Sequence, residues 1–276
     1  MFGLSSPQSR LALGCASLVA CHAVIGADDF SVGAPQEGGA AGTTHTGGLG
    51  GGGSNGGGGS SSSSSGAAGS GGNGGGGGAG GQEPCHLDGL QDHFNDTQIG
   101  SYLTGQCVST GNYGMDGAVA FAEPADGLAG AQRCGFHTNL LYDLLDCAVW
   151  IEVQSVLTQG TAAYTTFRFS AGTGDTIGVT HQAAPNVLSF EVVENQATTT
   201  SASVSYNGVT HRWWRIREAA GTVYVETSPD TVHWTIELTA PSPGFVDEGR
   251  VLFMAGTTSY ALDPGRAEFD NLNELP

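Results

Sequence analysis

Between residues 211 and 238, apolar and polar positions alternate in three runs broken by two turns. A strand sends successive side chains to opposite faces, so period-two alternation predicts a half-buried strand. In the first run Trp214 and Ile216 share one face, while Trp213, Arg215 and Arg217 share the other. Ala219, Ala220 and Gly221 supply a tight turn in which the glycine takes the positive φ. Val223 and Val225 then face opposite to Tyr224 and Glu226. Ser228, Pro229, Asp230 and Thr231 make the second turn, where proline presets φ and the aspartate bonds nearby backbone. The third run sets Trp234, Ile236 and Leu238 against His233, Thr235 and Glu237. Together these runs predict a three-stranded meander with one dry face and one aromatic, charged face.

Shorter runs of the same kind cover residues 118–122, 148–157, 164–170, 176–181, 187–193, 201–206, 251–254 and 267–272. In the second of these, Val149, Ile151 and Val153 alternate with Trp150, Glu152 and Gln154. No run of helical length carries a 3.6-residue period. Short strands at near-regular spacing, with Gly, Pro, Asn and Asp between them, predict an all-β domain over residues 84–276. Its expected class is an antiparallel β-sandwich or jelly roll.

Composition divides the chain ahead of that domain. Of the 276 residues 47 are glycine, most of them packed between residues 37 and 82 with serine. Such a segment buries too little apolar surface to offset its ordering entropy, so residues 21–83 are expected to be a disordered Gly/Ser-rich tether. Residues 1–20 have the layout of a signal peptide, with Arg10 ahead of a short apolar run. Leu18, Val19, Ala20 and Cys21 resemble a bacterial lipobox, which implies cleavage before Cys21 and lipid on its sulfur. Cys15, after Gly14, is a weaker second candidate because the signal before it is very short. The expected location is extracytoplasmic, in a bacterial envelope, at the outer membrane or cell surface, with the membrane reached through the lipid anchor alone.

The cysteines fit export. Of the six, cleavage removes Cys15 and lipidates Cys21, leaving Cys85, Cys107, Cys134 and Cys147 in the folded part. An even number in an exported chain predicts disulfides. Four cysteines allow three pairings, and the shorter loops favour Cys85 with Cys107 and Cys134 with Cys147.

Charge removes several function classes. The formal net charge is −18, and the eight basic residues are all arginine. An acidic, lysine-free chain is unsuited to nucleic acid or to a basic-patch membrane contact. A phosphate loop needs a lysine that the Gly172–Gly174 turn lacks. A serine hydrolase needs a Gly-x-Ser-x-Gly elbow between a strand and a helix, and residues 84–276 contain no such motif. His86, Asp88, Asp92, His93 and Asp96 crowd the domain entrance, but without metal-ligand spacing they read as a polar loop. No cofactor is expected.

At several points the chain resembles the concanavalin A-like lectin/glucanase superfamily, of the type found in secreted bacterial lipoproteins. The matching residues are Asp92-His93-Phe94, Trp213-Trp214-Arg215-Ile216-Arg217, Ser228-Pro229-Asp230 ahead of Trp234, and Ala267-Glu268-Phe269-Asp270-Asn271. Thr231 departs from the family pattern, which has glycine after that aspartate. The resemblance implies a jelly-roll sandwich and a role as lectin, sugar hydrolase or adhesion module.

Glycoside hydrolysis needs two carboxylates flanking the scissile bond. Glucanases of this superfamily carry a Glu-x-Asp-x-x-Glu run, and none occurs here. Glu226 and Glu237 could share a face of neighbouring strands, but read more simply as solvated acids. The expectation is therefore a non-catalytic, lectin-like domain whose partner is a glycan or an envelope component. The alternatives are a structural or protein-binding envelope module and a divergent glycoside hydrolase. Trp213, Arg215, Arg217, Tyr224 and Glu226 are the candidate ligand-binding residues, since a sugar ring needs a flat apolar surface and a few oriented polar partners. The competing reading of the same five is a covered layer in which arginines cap the aromatic rings.

Overall fold

The computed structural model describes residues 85–274 apart from Asp88 and Thr173, and for Cys85 and His86 it describes the main chain only. The expected signal peptide, the lipidation site Cys21 and the Gly/Ser tether lie outside the described residues.

Fifteen strands follow in chain order: β1 (Cys85–His86), β2 (Leu103–Val108), β3 (Gly111–Met115), β4 (Ala120–Pro124), β5 (Gln132–Thr138), β6 (Cys147–Ser155), β7 (Ala163–Ser170) and β8 (Thr176–Gln182), then β9 (Val187–Glu194), β10 (Ala197–Ser205), β11 (Trp213–Ala219), β12 (Thr222–Ser228), β13 (Thr235–Pro241), β14 (Arg250–Thr257) and β15 (Ala267–Asp270). The first sheet runs β13-β12-β11-β6-β15-β4-β3, with β1 added in parallel to β6. The second runs β10-β9-β8-β7-β14-β5-β2. All other pairings are antiparallel, so the fold is the all-β sandwich of jelly-roll type that the alternation predicts.

The inner faces meet in one apolar core. Phe253 of β14 joins the two layers: its ring lies 5.1 Å from Phe136 in its own sheet and 5.2 Å from Phe269 in the other. Trp214 and Ile216 of β11 and Val223 and Val225 of β12 enter the same core, as their alternation predicts. Ala220 and Gly221 turn the β11–β12 hairpin, both with positive φ, at 51° and 78°. That twist matches the twist of the flanking strands.

The third run of the meander departs from its expected facing. The β12–β13 register shifts between Val225 and Glu226, leaving Glu237 as the extra residue. Leu238 pairs with Val225 and is buried, whereas Ile236 pairs with Glu226 and is 53% exposed. A bulge reverses the facing of every residue beyond it, so Ile236 and Leu238 cannot share a face. Trp234 sits ahead of β13, and its indole donates to the Thr231 carbonyl at 2.7 Å.

The favoured disulfide pairing is also corrected. Cys107 is bonded to Cys134, with Cα atoms 4.1 Å apart. Loop length does not decide the matter: β2 and β5 are neighbours, and these two cysteines stand directly opposite in the ladder. Cys147 is disulfide-bonded as well, and residue 85 faces it across the parallel β1–β6 pair.

Candidate functional site

Two outer faces carry polar side chains in number. On the first sheet, β11 and β12 gather all five residues singled out from the sequence. Arg215 stands opposite Glu226, and Arg217 opposite Tyr224. The Arg215 Nε donates to Glu226 at 2.6 Å, and Arg217 Nη2 donates to the other carboxylate oxygen at 3.0 Å. The Arg217 guanidinium lies 4.0 Å over the Tyr224 ring, and that of Arg215 lies 3.9 Å over Trp234.

This face is closed rather than open. Trp213 is 2% exposed and packs with Ala148 and Trp150, and Trp234 covers the group. The C-terminal residues cross beside it: Asn273 accepts from the Trp150 amide at 2.9 Å, and the Trp150 indole donates to the Glu274 carbonyl at 3.1 Å. The five residues thus come together, but their polar atoms bond to one another and the Trp213 ring has no free face. Next to them, Glu152 accepts from Arg212 and from Asn271. Asp270 stands directly across the β15–β6 pair from Glu152. Burial, and then the Glu152 charge, push the Asp270 carboxyl above its usual range.

Of the entrance residues Asp92 and Asp96 act as turn caps, while Asp88 and the His86 side chain lie outside the described residues. Asp92 accepts from the Phe94 amide at 2.7 Å and from the Tyr102 hydroxyl, and Asp96 accepts from the Gln98 amide at 2.9 Å. His93 bonds to the Asn271 side-chain oxygen at 2.7 Å. Among the described residues, no three His, Cys, Asp or Glu side chains gather as a metal site.

The second outer face was not singled out from the sequence. Phe167 and Phe169 of β7 point into the core, so Tyr164, Thr166 and Arg168 point away from it. Register brings Thr180 of β8 opposite Thr166, Gly178 opposite Arg168, and Glu191 of β9 opposite Gly178. The Arg168 Nε donates to Thr166 at 2.9 Å, and its Nη2 donates to Thr180 at 3.1 Å and to Glu191 at 2.8 Å. Thr166 in turn donates to the Val179 carbonyl at 2.8 Å. On the other side of β7, β14 contributes Leu252 and Met254, and β5 contributes Arg133 and His137.

Glycines make this floor possible. A Cβ at Gly178 would lie 2.6 Å from Cγ of Arg168, and one at Gly256 would lie 2.5 Å from the Tyr164 hydroxyl oxygen. Without them, neither long side chain could lie flat across its neighbouring strand. The face is polar yet poorly solvated: Arg133 and Tyr164 are each 5% exposed. Burial depresses the Arg133 and His137 pKa values and raises that of the Tyr164 phenol. The side chains of Arg168 and Glu191 are 12% and 16% exposed, so this face, like the first, is largely shielded and its polar atoms bond to one another. Among the described residues the strands of this sheet present one carboxylate here, Glu191, and it is committed to Arg168.

No protein-family model matches the chain, and no curated protein is significantly similar to it in sequence. Several solved structures are similar to it at low identity. One is the β-glucanase of Bacillus licheniformis, at 9% identity over 67% of this chain and 97% of that one, with a TM-score of 0.47. Another is a glycosyl hydrolase family protein from Mycobacterium fortuitum, at 11% identity over 67% and 97%, with a TM-score of 0.49. A third is a legume lectin-like domain from Entamoeba histolytica, at 7% identity over 62% and 86%, with a TM-score of 0.41. The class that the strand order and register define is an antiparallel jelly-roll β-sandwich.

Proposed function

We propose that residues 84–276 form a non-catalytic glycan-binding domain that holds a polysaccharide against the outer face of the second sheet. The observation that carries this reading is the network joining Thr166, Arg168, Thr180 and Glu191. It supplies rigid, pre-oriented polar groups on a floor flattened by Gly178 and Gly256. The test is a glycan array with the full chain, followed by calorimetry on the hits. Arg168→Gln is expected to weaken binding at least tenfold, while Trp213→Phe, on the closed face, leaves it unchanged. Binding insensitive to Arg168 and lost with Trp213 would move the site to the first sheet.

A second reading, a divergent glycoside hydrolase, is favoured by one observation: Asp270 faces Glu152 across β15–β6 with its carboxyl raised. A carboxyl raised by burial beside a second carboxylate is the kind of group that acid–base cleavage uses. Release of reducing ends from a polysaccharide, abolished in both Glu152→Gln and Asp270→Asn, would establish it. The first reading expects no such release.

The domain is proposed to work outside the cytoplasm, on a lipid at Cys21 and at the end of the Gly/Ser-rich segment. The Cys107–Cys134 disulfide supports an oxidising compartment. Labelling with a fatty-acid probe is expected to disappear in Cys21→Ser; label that survives would refute this assignment.

A further inference from the structure

The outer face of the second sheet is drier than its place in the fold accounts for. In a two-layer antiparallel sandwich the inner faces make the core and the outer faces meet water. On β14, Val251, Phe253 and Ala255 enter the core, so Leu252 and Met254 point outward. They are nevertheless 4% and 5% exposed. The same burial extends across the neighbouring strands, to Arg133 on β5, Tyr164 on β7, Thr180 on β8 and Val193 on β9. Lateral neighbours do not explain it. Met254 stands between Gly135 and Thr166, which are too small to wrap a thioether side chain. Among the described residues every strand belongs to one of the two sheets, so none is left over to form a third layer.

A cover for this face has to bring apolar side chains of its own. From Glu37 to Gln82 the one large apolar residue is Leu49, so that stretch has little to set against Leu252 and Met254. Residues 23–32 carry Val24, Ile25, Phe30 and Val32, and they stay on the chain when cleavage precedes Cys21. Their reach suffices: the strands from β5 to β9 span about 19 Å at the usual spacing, a distance that about six extended residues cross. A Gly/Ser coil as long as residues 37–82 has a root-mean-square span of about 35–40 Å, enough to return the segment to the domain. The acids of the segment, Asp28 and Asp29, are opposite in sign to Arg133, Arg168 and Arg250 on this face. We propose that residues 23–32 dock on the outer face of the second sheet as a third layer, with Val24, Ile25 and Phe30 against Leu252 and Met254. A glycan then reaches the face only when the segment leaves it, which makes the N-terminal segment a regulator of binding. That competition rests on the reading of the second sheet as the glycan-binding face; the docking itself does not.

Met254 reports on the cover, because peroxide oxidises a thioether only where it can reach it. The full chain is treated with hydrogen peroxide and the oxidation of Met254 and of the half-buried Met115 is followed by peptide mass spectrometry. The same is done for a variant combining Ile25→Ser and Phe30→Ser, with thermal unfolding as the control for folding. The expected result is that Met254 is protected in the parent and oxidised about tenfold faster in the variant, with Met115 unchanged. Equal protection of Met254 in both chains, or oxidation of Met254 as fast as Met115 in the parent, would overturn the docking. Protection that fades on dilution would assign the cover to a second copy of the chain and overturn it as well. Glycan binding is then measured on both chains and is expected to be tighter in the variant. Binding of equal strength would overturn the competition alone. Absence of binding to either chain, with Met254 exposed in the variant, would remove the glycan-binding reading and leave the docking standing.

Discussion

Arg215 and Glu226 face each other across the β11–β12 hairpin, and the arginine donates to the carboxylate at 2.6 Å in a layer closed to solvent. Arg217 donates to the same carboxylate, so one acid balances two guanidiniums. Removing the acid would leave both charges buried without it. Glu226→Ala is expected to destabilise the fold by about 3–5 kcal/mol, the usual result of breaking a buried pair from one side. Arg217→Ala should cost less, since its side chain is 19% exposed and Arg215 would still hold the carboxylate. Urea unfolding followed by tryptophan fluorescence checks both; a midpoint unchanged in Glu226→Ala would refute the closed-layer account.

Thr231 is held at φ 65°, in the left-handed region where a branched side chain crowds the backbone. The turn is imposed by its neighbours: Asp230 accepts from the Val232 and His233 amides at 3.0 and 2.9 Å. Thr231→Gly is expected to raise stability by about 1 kcal/mol by relieving that conformation. Thermal unfolding measures it, and a lowered midpoint would contradict the prediction.

Cys107 and Cys134 close a loop with a sequence separation of 27. Loop-closure entropy gives such a cross-link about 3–4 kcal/mol. The paired variant Cys107→Ser with Cys134→Ser should lose stability on that scale. Peptide mapping without reductant should recover the segments around residues 107 and 134 joined; recovery of a 134–147 link would be the opposite finding.

His181 is fully buried, its Nε2 is 2.9 Å from the Asn186 side-chain oxygen, and its ring lies tilted 4.5 Å from that of Tyr206. Burial lowers its pKa from the ordinary 6.5, against a smaller opposite effect of Asn186. The unfolded chain therefore takes up a proton that the folded chain resists, and stability present above pH 6.5 is lost as pH falls through and below it. Burial shifts His137 and His211 in the same direction. His181→Gln keeps a hydrogen-bonding side chain without that titration. Its unfolding midpoint should fall less than the parent's between about pH 7.5 and about pH 5; identical slopes would remove His181 from the account.

The second-sheet floor has a matching structural test. Gly178→Ala would place a methyl group 2.7 Å from the Phe167 carbonyl oxygen, an atom that cannot rotate away. It should lower both stability and glycan binding. Arg168→Gln should lower binding more than it lowers stability. Calorimetry with thermal unfolding separates the two, and equal proportional losses would mean that Arg168 is structural only.

The alternation of residues 213–217 and 222–226 was enough to place Trp214, Ile216, Val223 and Val225 in the core, because facing within a strand is a local property. The composition of the segment from 84 onward was likewise enough for an all-β class. Strands such as Gln132–Thr138 and Gly111–Met115 were not legible: they are short of apolar residues and exist through their partners. The facing of Ile236 and Leu238 depended on a bulge that only the β12–β13 ladder creates. The Cys107–Cys134 bond depended on register, not on loop length. The five residues read as a binding face lie together because they sit on two consecutive, paired strands. That they close on one another depended on Trp234 and on the C-terminal residues crossing from afar. The face now proposed for binding is assembled from the consecutive strands β7, β8 and β9 together with β14 and β5, which join them from afar in the chain. Local pattern determined the inward facing of unbulged strands; strand pairing and register decided which outward side chains meet, because a polar residue carries no local signal of the strand it will lie beside.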